Sequence, residues 1–254
     1  MKKDMNAVVA KGAPARAQAR RGWTLGALAL GAAWLFVRNR SRQAERAHPP
    51  AGHFLDVHGT RLHYLSQGEG HVIVLLHGNG VIAEDFRHAG LFEQLARTHR
   101  VIAFDRPGFG YSSRPRGTLW TPAAQAALLA AALEQLGVSR AVVLAHSWGT
   151  LVAISMALQH PHLVQAMVLA SGYYYPSVRF DVLTATPAIP VIGDVLSHTV
   201  SPLLGRLMWP LSVKRAFAPS AVPDSFKRLS PWMMLRPGQL RAEAGGRLAK
   251  GGCG

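Results

Sequence analysis

The stretch that decides the fold is Ala141-Val142-Val143-Leu144-Ala145-His146-Ser147-Trp148-Gly149, followed by a helix-like run from Leu151 to His160. Four apolar residues, a cluster of small residues around one serine and a helix-like run read as strand, sharp turn and helix, with Ser147 at the apex. A serine placed there has its hydroxyl pushed out of the sheet and backbone N–H groups beside it. The pattern is G-x-S-x-G with Ala145 in place of the first glycine. Small residues are required because the strained turn brings the strand and helix backbones together.

Outward from this turn, the same alternation repeats. Phe54–Val57 and Thr60–Leu65 flank His58-Gly59 and read as a hairpin. Val72–Leu76 and Val101–Phe104 are continuous apolar runs, as expected of strands buried on both faces. Ala83–Arg97 and Thr121–Leu136 read as helices, the second with Pro122 at its first position. Ala166–Ala170 reads as one more strand. Strands alternating with helices predict an α/β fold with a mostly parallel, doubly wound sheet.

Two further motifs lie at strand ends. His77-Gly78-Asn79-Gly80 closes one strand, and Asp105-Arg106-Pro107-Gly108-Phe109-Gly110-Tyr111-Ser112 closes the next. Gly-Phe-Gly is not a phosphate loop, because no Gly-Lys-Ser/Thr follows it. With the serine turn, these motifs in this order resemble the α/β-hydrolase superfamily, in its lid-bearing serine esterase and C–C hydrolase-like branch, over about residues 53–240. The resemblance implies that Ser147 is the nucleophile and that the backbone N–H groups of Asn79 and Trp148 form an oxyanion hole. Serine at the apex argues against the related dehalogenases and epoxide hydrolases, which attack with a carboxylate. The implied substrate is a small apolar ester or acyl compound, cleaved through an acyl-enzyme. No cofactor and no metal are expected.

The family order places an acid and then a histidine after the serine. Here the acids after Ser147 are Asp181, Asp194, Asp224 and Glu243, and the histidines are His160, His162 and His198. Asp194 and His198 are four apart and could share a helix face as a replacement dyad. The reading preferred on sequence is truncation before the strands that bear the acid and the histidine. The alternative function is then an inactive remnant or an apolar-ligand-binding protein.

The chain divides by composition. Residues 1–21 form a basic tail, 22–37 an uncharged apolar run, and 38–52 a polar linker. The hydrolase core covers 53–171, a Pro-, Leu-, Met- and Trp-rich helical lid covers 172–244, and a glycine-rich tail, expected to be disordered, covers 245–254. The 16-residue apolar run spans roughly 24 Å as a helix, has arginines on both flanks and carries Trp23 and Trp34 near its ends. It reads as a single-pass membrane anchor of open orientation; Arg-Asn-Arg-Ser-Arg after it does not resemble a signal-peptide cleavage site.

Of the net charge of +15, +8 sits on residues 1–50, and the folded part shows no basic stripe with interleaved aromatics, so nucleic acid is not an expected partner. Cys253 is the only cysteine, which excludes an intrachain disulfide.

Overall fold

A computed structural model describes residues 13–172, 174 and 191–249, with side chains from residue 22 to residue 246. Most of the basic tail, the first part of the lid stretch and residues 250–254 lie outside the described residues.

Six strands form one sheet: β1 (His53–Val57), β2 (Thr60–Gln67), β3 (Val72–Leu76), β4 (Arg100–Phe104), β5 (Ala141–His146) and β6 (Val164–Ala170). Their order is β1-β2-β4-β3-β5-β6. β1, β2 and β4 pair antiparallel in sequence; β4, β3, β5 and β6 are parallel. The β1–β2 hairpin turns through His58 and Gly59, both at positive φ (50° and 74°), the two-residue turn whose twist matches that of the strands.

The apolar runs alternate sides as they cross the sheet. Val74 and Leu76 of β3, with Ile102 and Phe104 of β4, pack against Leu129 and Leu133 of α4 (Pro122–Gln135) and Val152 and Met156 of α5 (Gly149–Gln159). Ile73, Leu75, Val101 and Ala103 face the other way, against Phe86 of α2 (Glu84–His88) and Phe92 of α3 (Leu91–Leu95). Both faces of β3 and β4 are therefore dry, which is why their sequence shows no polar alternation. The helix expected over 83–97 is broken in two, because Gly90 takes a left-handed φ of 74°. Thr121 caps α4 by accepting a hydrogen bond from the Ala124 N–H at 3.1 Å.

The N-terminal expectation is corrected. α1 is one continuous helix, Ala13–Ala47, through the expected anchor and most of the expected linker. No described helix is long and apolar enough to cross a membrane, so the single-pass anchor is overturned. The physical reason is length: 16 uncharged residues fall short of the roughly 20 a span needs, and any longer window takes in the flanking arginines. The C-terminal half of α1 lies instead on protein. Val37, Ser41 and Ala44, at helical spacing, are buried. Phe36 meets Trp232 edge to face at 5.9 Å, and Arg236 pairs with Glu45 at 2.9 Å.

The remaining described helices are α6 (Ile192–His198), α7 (Val200–Phe217), α8 (Asp224–Lys227), α9 (Pro231–Met234) and α10 (Pro237–Ala249). The tail expected to be disordered from residue 245 is helical as far as Ala249. Ala242, Ala244 and Gly246 are buried on the body, a tertiary contact that the local glycine content does not reveal.

Candidate active site

The carboxyl ends of the parallel strands converge on one rim of the sheet, where α/β sheets place ligand sites. The turns after β3, β4 and β5 meet there. Ser147 takes φ 52°, a left-handed conformation that costs a non-glycine residue on the order of 1–3 kcal/mol. Hydrogen bonds offset it: the Ser147 N–H donates to Ala170 O at 2.8 Å, and the Ser147 carbonyl accepts from the Thr150 N–H at 3.1 Å and the Thr150 hydroxyl at 2.6 Å. Gly149 has no room for a side chain, since a Cβ would lie 2.6 Å from Leu76 O and 2.7 Å from His77 O. Gly78 is pressed against the serine in the same way; a Cβ there would lie 2.9 Å from Ser147 Cβ. The serine side chain therefore faces the 77–80 turn, and it is half-buried.

Asn79 and Trp148, each next in the chain to one partner of this contact, share a neighbour. A Cβ on Gly246 of α10 would lie 3.4 Å from Asn79 Nδ2 and 3.3 Å from Trp148 Cε2. Trp148 Nε1 donates to Gly246 O at 3.0 Å. Among the described residues, neither the Asn79 nor the Trp148 backbone N–H makes a hydrogen bond. The turn that carries Asn79 thus packs against the turn that carries Ser147 and Trp148, and both backbone N–H groups are unengaged among the described residues.

The side chain that holds this arrangement is one that sequence reasoning passed over. Arg106 is fully buried, and its guanidinium donates to His77 O (2.8 Å), Gly78 O (2.9 Å), Asn79 Oδ1 (2.8 Å) and Gln125 Oε1 (3.3 Å). It lies 4.5 Å from the ring centroids of both Trp148 and Phe109. Burial, together with the charge of Arg114, pulls its pKa down to about 9, which leaves it a cation at neutral pH. The available signal was its place directly after Asp105 in the second motif.

The other ionisable groups nearby are occupied. His77 donates from Nδ1 to Gly78 O (2.7 Å) and accepts at Nε2 from the Arg106 N–H (3.0 Å), so both ring nitrogens are used. Burial and the Arg106 charge hold its pKa down at about 3. Asp105 is buried and accepts from the Ala83 N–H (2.8 Å), the Tyr111 N–H (3.0 Å) and His63 Nδ1 (2.7 Å). Burial opposes its ionisation, but the His63 hydrogen bond and charge outweigh that and lower its pKa. It therefore fastens its loop to β2.

The Asp194–His198 dyad is not formed. His198 Nδ1 donates to the backbone oxygen of Asp194 at 2.7 Å, while the Asp194 carboxylate binds Arg116 and Arg241. Asp194 stands at the head of α6, and the two guanidinium groups take up its carboxylate oxygens.

Comparison with known proteins agrees with the fold. A family model described as "alpha/beta hydrolase fold" matches residues 71–189. The chain is 33% identical over 189 residues to the 2-hydroxymuconate semialdehyde hydrolase of Pseudomonas putida, covering 70% of this chain and 66% of that protein. It is 32% identical over 132 residues to the cis-3-alkyl-4-alkyloxetan-2-one decarboxylase of Shewanella oneidensis, covering 50% of this chain and 41% of that protein. The matched region is thus less than two thirds of the length of either relative. Among solved structures, an epoxide hydrolase, CorEH, superposes with a TM-score of 0.62 at 23% identity, over 80% of this chain and 74% of its own. A meta-cleavage product hydrolase, CumD, superposes with a TM-score of 0.57 at 24% identity, over 75% and 68%. These likenesses and the sheet order lead to one conclusion: the chain belongs to the α/β-hydrolase superfamily.

Proposed function

We propose that the chain is a serine-type acyl hydrolase. Ser147 Oγ attacks the carbonyl carbon of a small carboxylic ester or related acyl substrate. The carbonyl π electrons move onto oxygen, and the backbone N–H groups of Asn79 and Trp148 receive that oxyanion. Collapse breaks the bond to the alkoxide, which takes up the proton released by the Ser147 hydroxyl and departs as the alcohol; water then adds to the acyl-enzyme, the acid leaves and the Ser147 O–H is restored. The observation that carries this reading is the left-handed Ser147 pressed against Gly78, with the neighbouring Asn79 and Trp148 N–H groups unengaged among the described residues. Preorganised donors of this kind matter because each is worth roughly 10²–10³ in rate. The relatives' names, a semialdehyde hydrolase and an alkyloxetanone decarboxylase, support a small substrate. The helices over 191–235 act as the lid, and the exposed Leu203, Leu204, Leu207, Met208 and Leu211 of α7 support an apolar substrate.

One observation favours a second reading. Among the described residues no imidazole hydrogen-bonds Ser147, and Gly246 is packed onto Trp148 beside the proposed oxyanion site. This supports a protein that holds apolar acyl ligands without turning them over. Labelling with a fluorophosphonate separates the two. The hydrolase reading expects covalent labelling of the wild-type chain that is lost in Ser147→Ala. No Ser147-dependent labelling, alongside saturable binding of an apolar ester, establishes the second.

A further inference from the structure

A cavity of about 500 Å³ opens between the C-terminal half of α1, the loop after β4 and the start of α10. That is the size of a small-molecule site, and neither Ser147 nor Trp148 lines it. Five arginines do: Arg38 and Arg42 from α1, Arg114 from the loop, and Arg236 and Arg241 from the C-terminal segment. They face one lining carboxylate, Glu45, which Arg236 already engages at 2.9 Å. Arg241 shares Asp194 with Arg116.

Arg114 has no carboxylate partner among the described residues; its guanidinium donates to the Pro107 carbonyl at 3.0 Å. Burial and the nearby Arg241 charge pull its pKa down to about 10. Guanidinium groups that line one cleft repel one another unless an anion lies between them.

Two further features point the same way. The first turn of α10, Pro237-Gly238-Gln239, forms part of the wall, and the unengaged amides of a helix start favour an anion. Ser41, 9% exposed, is also in the wall, and its hydroxyl has no hydrogen-bond partner among the described residues. Trp34 adds an apolar plane, with the Arg38 guanidinium 4.9 Å from its ring centroid.

We propose that this cleft binds a dianionic phosphate monoester, its phosphate held by Arg42, Arg114 and Arg241 and its organic group lying along Trp34. A phosphate monoester brings nearly two charges and three acceptor oxygens, where a carboxylate brings one charge and two oxygens. Forked guanidinium donors match it bidentately. The cleft is spatially separate from the serine site, since no residue of the 77–80 turn lines it.

Two sources present this group: a soluble ester and the headgroup of phosphatidic acid. The test titrates the full chain with phenyl phosphate, with benzoate, and with phosphatidylcholine vesicles with and without phosphatidic acid, followed by calorimetry and tryptophan fluorescence. Saturable phenyl phosphate binding is expected, weaker in added salt and weaker for benzoate. Arg42→Gln and Arg114→Gln each reduce the affinity by about tenfold. Arg42 is exposed on α1, so its variant retains the fold, which an unchanged melting curve verifies. A response confined to vesicles carrying phosphatidic acid, with the same loss in both variants, upholds the phosphate site and assigns it to the lipid. Binding of neither probe, or binding that both variants leave intact, overturns the proposal.

Discussion

At the scale of single residues, the geometry around Ser147 depends on a buried cation. Arg106 satisfies the carbonyls of His77 and Gly78 and the side-chain oxygen of Asn79 at once. Arg106→Met leaves those two carbonyls buried without donors, at about 1–3 kcal/mol each, partly offset by no longer burying a charge. We expect a loss of roughly 3 kcal/mol in urea unfolding. Arg106→Lys recovers only a fraction, because a point charge cannot serve three separated oxygens as a planar fork does.

His77 gives a pH signature. Its folded pKa of about 3 lies below its unfolded value of 6.5, so the unfolded chain binds the proton first. Stability from this group is fully present above pH 6.5 and is lost as pH falls towards 3, by about 1.4 kcal/mol per pH unit. Asp85 opposes this: burial raises its pKa from 3.8 to about 6, so over that window it favours the folded form as pH falls. The measurement is therefore a difference. Between pH 6 and 4 the unfolding free energy of wild type should fall more steeply than that of His77→Asn, by about 1.4 kcal/mol per unit. Parallel curves would show that His77 is not held neutral.

At the scale of elements, α1 shows how periodicity and length compete. The run from Gly22 to Val37 is apolar enough to suggest a lipid environment, yet Val37, Ser41 and Ala44 are one helical stripe that packs on the body. The same segment therefore carries a docking face whose partner, near Trp232 and Arg236, is about two hundred residues away in sequence. Val37→Asp puts a carboxylate into that contact at a cost of several kcal/mol, more than the local packing supplies. The C-terminal half of α1 should lift off. Hydrogen exchange is expected to lose protection over residues 33–47 while β3, β4 and β5 keep theirs. Unchanged protection there would show that α1 is held by other contacts.

At the scale of the whole molecule, the sheet has an exposed flank. Among the described residues β6 pairs only with β5, and its Met167 and Val168 are 38% and 51% exposed. An edge strand with apolar side chains is a template for pairing with another chain. Concentration-dependent self-association is expected in sedimentation experiments. Val168→Lys should weaken it several-fold without moving the melting temperature by more than a few degrees. Equal self-association in both proteins would place the contact elsewhere.

The sequence by itself determined the strands, the three motifs and the position of Ser147. Each of these is written locally: apolar runs of strand length, small residues where two backbones touch, and Pro122 after Thr121 at a helix start. The tertiary structure decided what local pattern does not encode. It made α1 a docked helix rather than a span, ordered the glycine-rich stretch into α10 and seated Gly246 on Trp148. It also turned Arg106 into the clamp of the 77–80 turn and gave the Asp194 carboxylate to arginines rather than to His198. The physical reason is shared by all five. Each depends on partners distant in sequence, and a side chain's desolvation and hydrogen-bond partners exist only once the chain has brought those partners within a few ångströms.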